Sequence, residues 1–470
     1  MTILLRDAAI LAGADHRFIP RGWMRVEGGI IAAMGEGDPP PAPEAQVLDG
    51  RRRLAAPGLV NAHTHSQSAT LAGFGDRLSH PAFMWRTLAR TANRTPRETA
   101  LAVQLTAWWA LSTGTTAILD HFPGQRFGPE DVEAVIAAWH ATGLRAVVGL
   151  RFFDGGFADI TPPGLPPDAD GGLLRPQPLE SLGEIAEDAI RRWHGRDGRI
   201  GVFPAPSNPD RCSDAALTLC ASLAERHDTG LHTHLLETAT QAAQARARYG
   251  TGSLERLEAL GVLSDRWSCA HCIHLSAAEI ALMARRGAIA VLNPESNARL
   301  GTGLAPIPAL RGAGVRLALA TDGAGSNDNL SMHEAMRAAA TAHRAATPDR
   351  ARWLPAAEAL RIATTGGAAA LRMPRLGALA PGFAADIVLY DLATPGWLPL
   401  NDPVAQMVFA EAGASVRTVM VGGEILLQDG RPTRFDPAAL AEEVIGMHGE
   451  LTRRNAALEA AAEAIGARLP

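Results

Sequence analysis

RWSCAHCIHLSAAEIALMARRGAIAVLN, residues 266–293, holds one complete structural repeat. WSCAHC is an apolar run of strand length. SAAEIALMARRG carries the alanine-rich pattern of a helix closed by glycine, and AIAVLN is the next strand-length run. Outward in both directions the same texture recurs. Before it stand GLVNAH (58–63), TTAILDH (115–121), RAVVGLRF (145–152), RIGVFPA (199–205) and GLHTHLL (230–236); after it stands RLALATD (316–322). Helical stretches such as PEDVEAVIAAWHATG (129–143) follow most of them. Eight strand–helix repeats in one block predict an α/β chain and, within that class, a (β/α)8 TIM-like barrel over 57–375. The alternative is an open doubly wound sheet, but no G-x-G-x-x-G follows the first strand.

The two ends of the chain read differently. ILLRDAAIL, GWMRVEGGIIAAMG and AQVLDGRRRLAAP within 1–56 alternate apolar and polar residues between Gly and Asp turns. LGALAPGFAADIVLYDL and VRTVMVGGEILLQDG within 376–434 return to that pattern, so both arms are expected to pair into one small β-sandwich. Residues 435–470 are Ala/Glu-rich and predict a helical surface tail without chemistry of its own. The Pro/Gly-rich stretch 154–180 is long for a connection and reads as a lid or binding loop, or as a plain surface insertion.

Composition narrows the function. The chain has 470 residues, 47% of them hydrophobic, which suits a globular protein with a sizeable core. A net charge of −5 gives no reason to expect nucleic acid or an anionic membrane as partner. No signal peptide and no membrane span is legible, so a cytoplasmic location is expected. All 44 basic residues are arginine, which excludes Schiff-base lysines and carbamylated-lysine metal bridges. Cys269 and Cys272 form a C-x-x-C, but further ligands at zinc-ribbon spacing are missing, and a buried strand is the better reading.

The polar residues with chemical potential cluster at the C-terminal ends of the strand candidates, where barrel enzymes build their sites. His63 and His65 stand two apart and project from one side of a strand. His234 ends the fifth strand candidate and is preferred as a ligand over His232, which is expected deeper, hydrogen-bonded in the interior. Asp322 ends the eighth and adds a carboxylate. Glu237, three residues past His234, is placed to move protons. His271 ends the sixth; it is a possible fourth imidazole ligand, but five protein ligands would crowd out water, so a catalytic role is preferred. Three imidazoles and a carboxylate suit one divalent ion, zinc first and Fe(II) second. Such an ion lowers the pKa of water from ~15.7 to about 7.

PGLVNAHTH, HTHLLET, AHCIHLS, NPESNARLGTG, LATDGAGSNDNLSMHEAM and LGALAPGFAADIVLYD, in this order, resemble the amidohydrolase superfamily, and within it the mononuclear aminohydrolases. Those include guanine, 8-oxoguanine, S-adenosylhomocysteine, pterin and triazine deaminases. The resemblance covers most of the chain. It implies metal ligands His63, His65, His234 and Asp322, with Glu237, His271 and Asp322 catalytic, and a planar aminated heterocycle that loses ammonia or an amine. Asp322 deprotonates the attacking water, Glu237 protonates the ring nitrogen, and His271 orients the attacking oxygen. Relatives are often homodimers or larger. The chain departs from the family at Leu292, where a histidine often stands, and at PAPSNPDRCS (204–213), so a nucleoside substrate does not carry over. Gln67, Trp85, His121, Arg151 and Asn208 are candidate substrate contacts, with Phe83, Phe152 and Phe153 beside Trp85 as flat apolar walls. The alternative activity at the same site is amide, cyclic-amide or halide hydrolysis; a catalytically silent scaffold is the third reading.

Overall fold

The computed structural model describes residues 2–122, 127–166, 169 and 171–469. The N-terminal arm forms β1 (Thr2–Ala12), β2 (Arg17–Glu27), β3 (Ile30–Glu36), β4 (Gln46–Asp49) and β5 (Arg53–Pro57). The C-terminal arm contributes β14 (Ile387–Asp391), β15 (Val416–Val421), β16 (Glu424–Gln428) and β17 (Arg431–Pro432). They share one nine-stranded mixed sheet, ordered β17-β16-β15-β14-β5-β1-β2-β3 with β4 beside β1. The two ends of the chain meet where β14 runs antiparallel to β5, Val388 opposite Ala56. Alternation in these strands sends Ile3, Leu5, Ile10, Ile19, Met24 and Ile387 into one apolar cluster.

Between the arms lie two four-stranded parallel sheets. One is β6 (Leu59–Thr64), β7 (Thr115–Phe122), β8 (Arg145–Phe152) and β9 (Ile200–Pro206); the other is β10 (Leu231–Leu235), β11 (Trp267–His271), β12 (Ile289–Leu292) and β13 (Arg316–Leu319). Each corresponds to one of the eight runs read from the sequence. Both faces of these strands are buried, which is why they read as near-continuous apolar runs instead of alternating ones. Successive residues serve different cores. Ala117 and Leu119 join Val147, Phe203, Val291 and Ala318 in a cluster shared by both sheets, while Ile118 and Phe122 face the helices. Backbone bonds tie the sheets together at both margins: His234 N donates to Ser207 O (3.3 Å), and Asp322 N to His63 O (3.0 Å).

The helices are α1 (His80–Arg90), α2 (Pro96–Ser112), α3 (Pro129–Thr142), α4 (Leu179–Trp193), α5 (Asp214–Arg226), α6 (Ala239–Tyr249), α7 (Ser253–Ala259), α8 (Ala277–Arg286) and α9 (Pro294–Arg299), with further helices beyond. Their ends follow local chemistry. Ser276 and Glu279 cap α8 reciprocally, and Gly287 at φ 69° lets the chain leave it. The apolar core of 154–166 packs instead of dangling: Phe157 and Ile160 join Trp85 and Phe153, and Trp85 Nε1 donates to Ile160 O at 2.7 Å. Residues 167, 168 and 170 of that stretch lie outside the described residues.

The C-terminal tail is helical, over Pro437–Arg454 and Ala456–Gly466. Its second helix packs on α1, with Ala462 and Ile465 in the Trp85 cluster. Buried Asn455 donates to Ala92 O (2.8 Å), and Arg90 pairs with Glu459 at 2.6 Å. No helix of the described residues is long and apolar enough to cross a membrane.

Candidate metal centre and active site

Three strand ends deliver their side chains through unusual backbone. Leu236, His271 and Asp322 have φ of 48°, 73° and 64°. For non-glycine residues such conformations cost of order 1–3 kcal/mol each, and they persist where the surrounding structure enforces them. Asp322 N is held by His63 O, and Cys272 N, next to His271, by Leu235 O (3.0 Å).

The ring nitrogens are assigned by their partners. His65 Nδ1 donates to His121 O (3.0 Å) and His234 Nδ1 to Ser207 O (2.7 Å). Their Nε2 lone pairs then face each other across 3.2 Å. His63 Nδ1 lies 2.7 Å from His232 Nε2, His232 Nδ1 lies 2.7 Å from Ser268 Oγ, and Ser268 Oγ donates to Leu231 O. Because that chain ends on a carbonyl, it runs in one direction, and His63 Nε2 is left as a buried lone pair without a hydrogen-bond partner. Asp322 Oδ1 approaches His63 Nε2 to 3.4 Å and His65 Nε2 to 3.3 Å. Burial pushes His63 down to about 4 and His234 well below the usual imidazole range, so both rings are neutral donors at pH 7. Converging nitrogen lone pairs beside a carboxylate repel unless a cation lies between them. The donor set therefore fits a divalent ion.

The other carboxylate oxygen of Asp322 accepts from Ser296 Oγ (2.6 Å) and Ser326 Oγ (3.2 Å). His271 Nδ1 donates to Asn297 Oδ1 (2.8 Å) and lies 3.8 Å from Glu237 Oε1. Burial raises the Glu237 carboxyl, but the facing His271 and His80 imidazoles outweigh it and hold it at about 2.

The amidohydrolase family pattern matches residues 54–426. The chain belongs to the amidohydrolase family. It is 36% identical, over 94% of its own length and 96% of the relative's, to a 5-methylthioadenosine/S-adenosylhomocysteine deaminase of Nitratidesulfovibrio vulgaris (strain DSM 19637 / Miyazaki F). A zinc-bound adenosine deaminase from Xanthomonas campestris superposes with a TM-score of 0.85 at 28% identity, covering 96% of this chain and 98% of that one. The zinc complex of an atrazine chlorohydrolase from Arthrobacter aurescens TC1 superposes at 0.87 and 26% identity, covering 95% and 100%. This amidohydrolase is a hydrolase of carbon–nitrogen bonds acting on a small molecule, and its histidine cluster together with the zinc-bound neighbours supports a divalent metal.

A cavity opens over His65, His234, Glu237, His271 and Asp322. Of the substrate contacts expected from sequence, Gln67, Arg151 and Asn208 line it. Gln67 Oε1 and Arg151 Nε and Nη2 are buried without partners, whereas Asn208 Oδ1 is taken by Arg211 N (2.9 Å). Trp85 and His121 do not line it. Trp85 is spent on the apolar cluster behind α1, and His121 sits beneath His65 and His234 with Nε2 3.3 Å from Ala205 O. Phe83 alone of the expected aromatic walls reaches the cavity; Phe152 and Phe153 are core. Cys269 and Cys272 are buried free thiols raised by burial. Sequence reading missed His80, Arg211 and Gln241, which line the cavity from helix starts and a short turn. The one local signal was a histidine between Ser79 and Pro81 at a helix N-terminus.

Proposed function

We propose that this amidohydrolase is a metal-dependent hydrolytic deaminase of a planar aminated heterocycle of purine, pterin, pyrimidine or triazine type, releasing ammonia or an amine. The observation that carries it is that His63 and His65 Nε2 converge on Asp322 Oδ1 while His234 Nε2 lies 3.2 Å from His65 Nε2, each Nδ1 already spent on another acceptor. These four are the proposed ligands, zinc first and Fe(II) second. When bound, the ion polarises a water and lowers its pKa toward about 7. Glu237 rests ionised, so it takes the proton it delivers to the ring nitrogen from the attacking water. Asp322 takes the second proton and returns it to the leaving amine. Water thus supplies both hydrogens and the ring carbon exchanges nitrogen for oxygen. His271, its Nδ1 fixed on Asn297, orients the attacking oxygen with Nε2. Phe83, Met84 and Leu300 offer the ring an apolar wall, and Gln67 and Arg151 bring free hydrogen-bonding atoms to its edge.

In the same reading the two parallel sheets close into one (β/α)8 barrel over 57–375. The bonds across both seams support this. Segments 1–56 and 376–434 form the terminal β-sandwich, their single nine-stranded sheet folding over its own apolar cluster, with 435–470 the helical tail and a homodimer or larger as the working unit.

Ammonia release is to be measured across aminated purines, pterins, pyrimidines and triazines, beside halogenated and amide analogues, with one equivalent of Zn(II) or Fe(II). Ammonia from at least one aminated ring is expected. Chloride alone, from halogenated rings, would establish the second reading, which the chlorohydrolase neighbour favours.

A further inference from the structure

The Glu237 carboxylate is suspended between two imidazoles. Oε1 faces His271 Nδ1 at 3.8 Å, and Oε2 faces His80 Nε2 at 3.2 Å. His80 is the first residue of α1, buried at 7% exposure, and it lines the catalytic cavity. It has no place in the ligand set or in the proton path described above.

The backbone of Glu237 is held by the same neighbourhood. Gln241 Oε1 accepts from Glu237 N (2.8 Å), and Gln241 Nε2 donates to Asp159 Oδ2 (3.1 Å). Asp159 is paired in turn with Arg211, whose Nε donates to Oδ1 at 3.1 Å. Both ends of Glu237 are thus fixed by groups from α1, α6, the 154–180 stretch and the turn after β9. A carboxylate that must receive a proton from one atom and hand it to another needs its orientation set to within a fraction of an ångström.

We propose that His80 is a positioning residue for Glu237: it pins one carboxylate oxygen so that the other stays turned toward His271 and the reacting atoms. The proposal rests on the proton-carrying role given to Glu237 above. Charge supports the geometry. Burial pushes His80 down, but Glu237 and then Asp159 outweigh it, against an opposing Arg211, and the imidazole stays protonated above its ordinary range. Below the His80 midpoint the pair is imidazolium and carboxylate. As pH rises past the His80 midpoint, Nε2–H can still donate to Glu237 but the charge that strengthens the contact is lost.

The test uses the full-length, metal-loaded protein and the aminated ring of the panel it turns over fastest. His80→Ala is expected to lower kcat by about 30-fold or more with KM changed by less than about threefold, a split expected of lost orientation. Metal content and the circular-dichroism spectrum should stay at wild-type values, while Tm falls because Glu237 loses a buried partner. His80→Gln keeps a donor without charge; it is expected to recover part of the rate, about the level the wild type falls to above the His80 midpoint, and to lose the alkaline limb of the kcat profile. Separately, NMR of protein labelled with 15N-histidine should show a His80 midpoint above that of an unperturbed histidine, falling in Glu237→Gln. His80→Ala with kcat within about twofold of wild type overturns the proposal. So does His80→Gln no faster than His80→Ala with an unchanged pH profile, or a His80 midpoint indifferent to Glu237→Gln. Coupled titration without ammonia release from any panel member sinks the deaminase reading and leaves the His80–Glu237 pair standing.

Discussion

A histidine becomes a metal ligand when one ring nitrogen is committed elsewhere. Among the proposed ligands His63 meets this condition most fully, because its Nδ1 leans on His232 and, through it, on Ser268 and a backbone carbonyl. His63→Ala is expected to abolish stoichiometric metal, measured by atomic absorption on protein dialysed against trace Zn(II). His232→Ala leaves all four ligands in place, yet it should weaken metal affinity by about 10–100-fold, because the tautomer of His63 is no longer enforced. Normal affinity in that variant would remove His232 from this role. Asp322→Asn and Glu237→Gln should keep the fold and cut kcat by about 100-fold or more; circular dichroism and ammonia release check the two halves of that statement. The proposed ligand histidines and Glu237 could be picked out in sequence because they lie at or just past the ends of strand runs. His80 was not, because only packing of α1 against the strand ends brings it to Glu237.

At the scale of elements, α9 carries a pH-dependent strain. Glu295, in its first turn, is pushed up to about 8, chiefly by burial and then by Glu334 nearby, while Asn327 Nδ2 donates to it at 2.6 Å. A carboxyl raised in the folded state binds its proton more tightly there than in the unfolded chain. Its contribution to stability is therefore full below the unfolded value near 4.5 and is lost as pH rises through about 8. Glu295→Gln should stabilise the protein by about 1–3 kcal/mol at pH 9 and have little effect at pH 5. Tm measured at both pH values checks it, and equal shifts at the two would refute it. Helix positions were readable from caps: PEDVEAVIAAWHATG ends on Gly143 at φ 80°, and SAAEIALMARRG begins on a reciprocal Ser276–Glu279 cap. Such signals lie within a few residues of one another, so sequence alone carries them.

For the whole molecule, two contacts join parts of the chain that are far apart in sequence. Arg145 of β8 makes a bidentate, buried pair with Asp386, 241 residues away, at 2.9 and 3.0 Å, and Gly422 N also donates to Asp386 (2.8 Å). This joins the parallel sheets to the terminal sheet. Asp386→Ala leaves the guanidinium buried and unpaired and should cost about 3–5 kcal/mol in urea unfolding. Removing residues 456–470 uncovers the apolar back of α1, where Ala462 and Ile465 cover the Trp85 cluster. That truncation should lower both Tm and kcat, since α1 carries His80 toward the cavity; a truncated chain with wild-type Tm would show the tail to be dispensable. The alternation of buried strand and capped helix is local, and the sequence by itself determined it, along with the offsets of His63, His65, His234, Glu237, His271 and Asp322. Which residues share the cavity was decided by the tertiary structure. Trp85 turned to the core and His80 to Glu237 because the packing of α1 between the tail and the strand ends depends on partners hundreds of residues apart, and no local pattern encodes that distance.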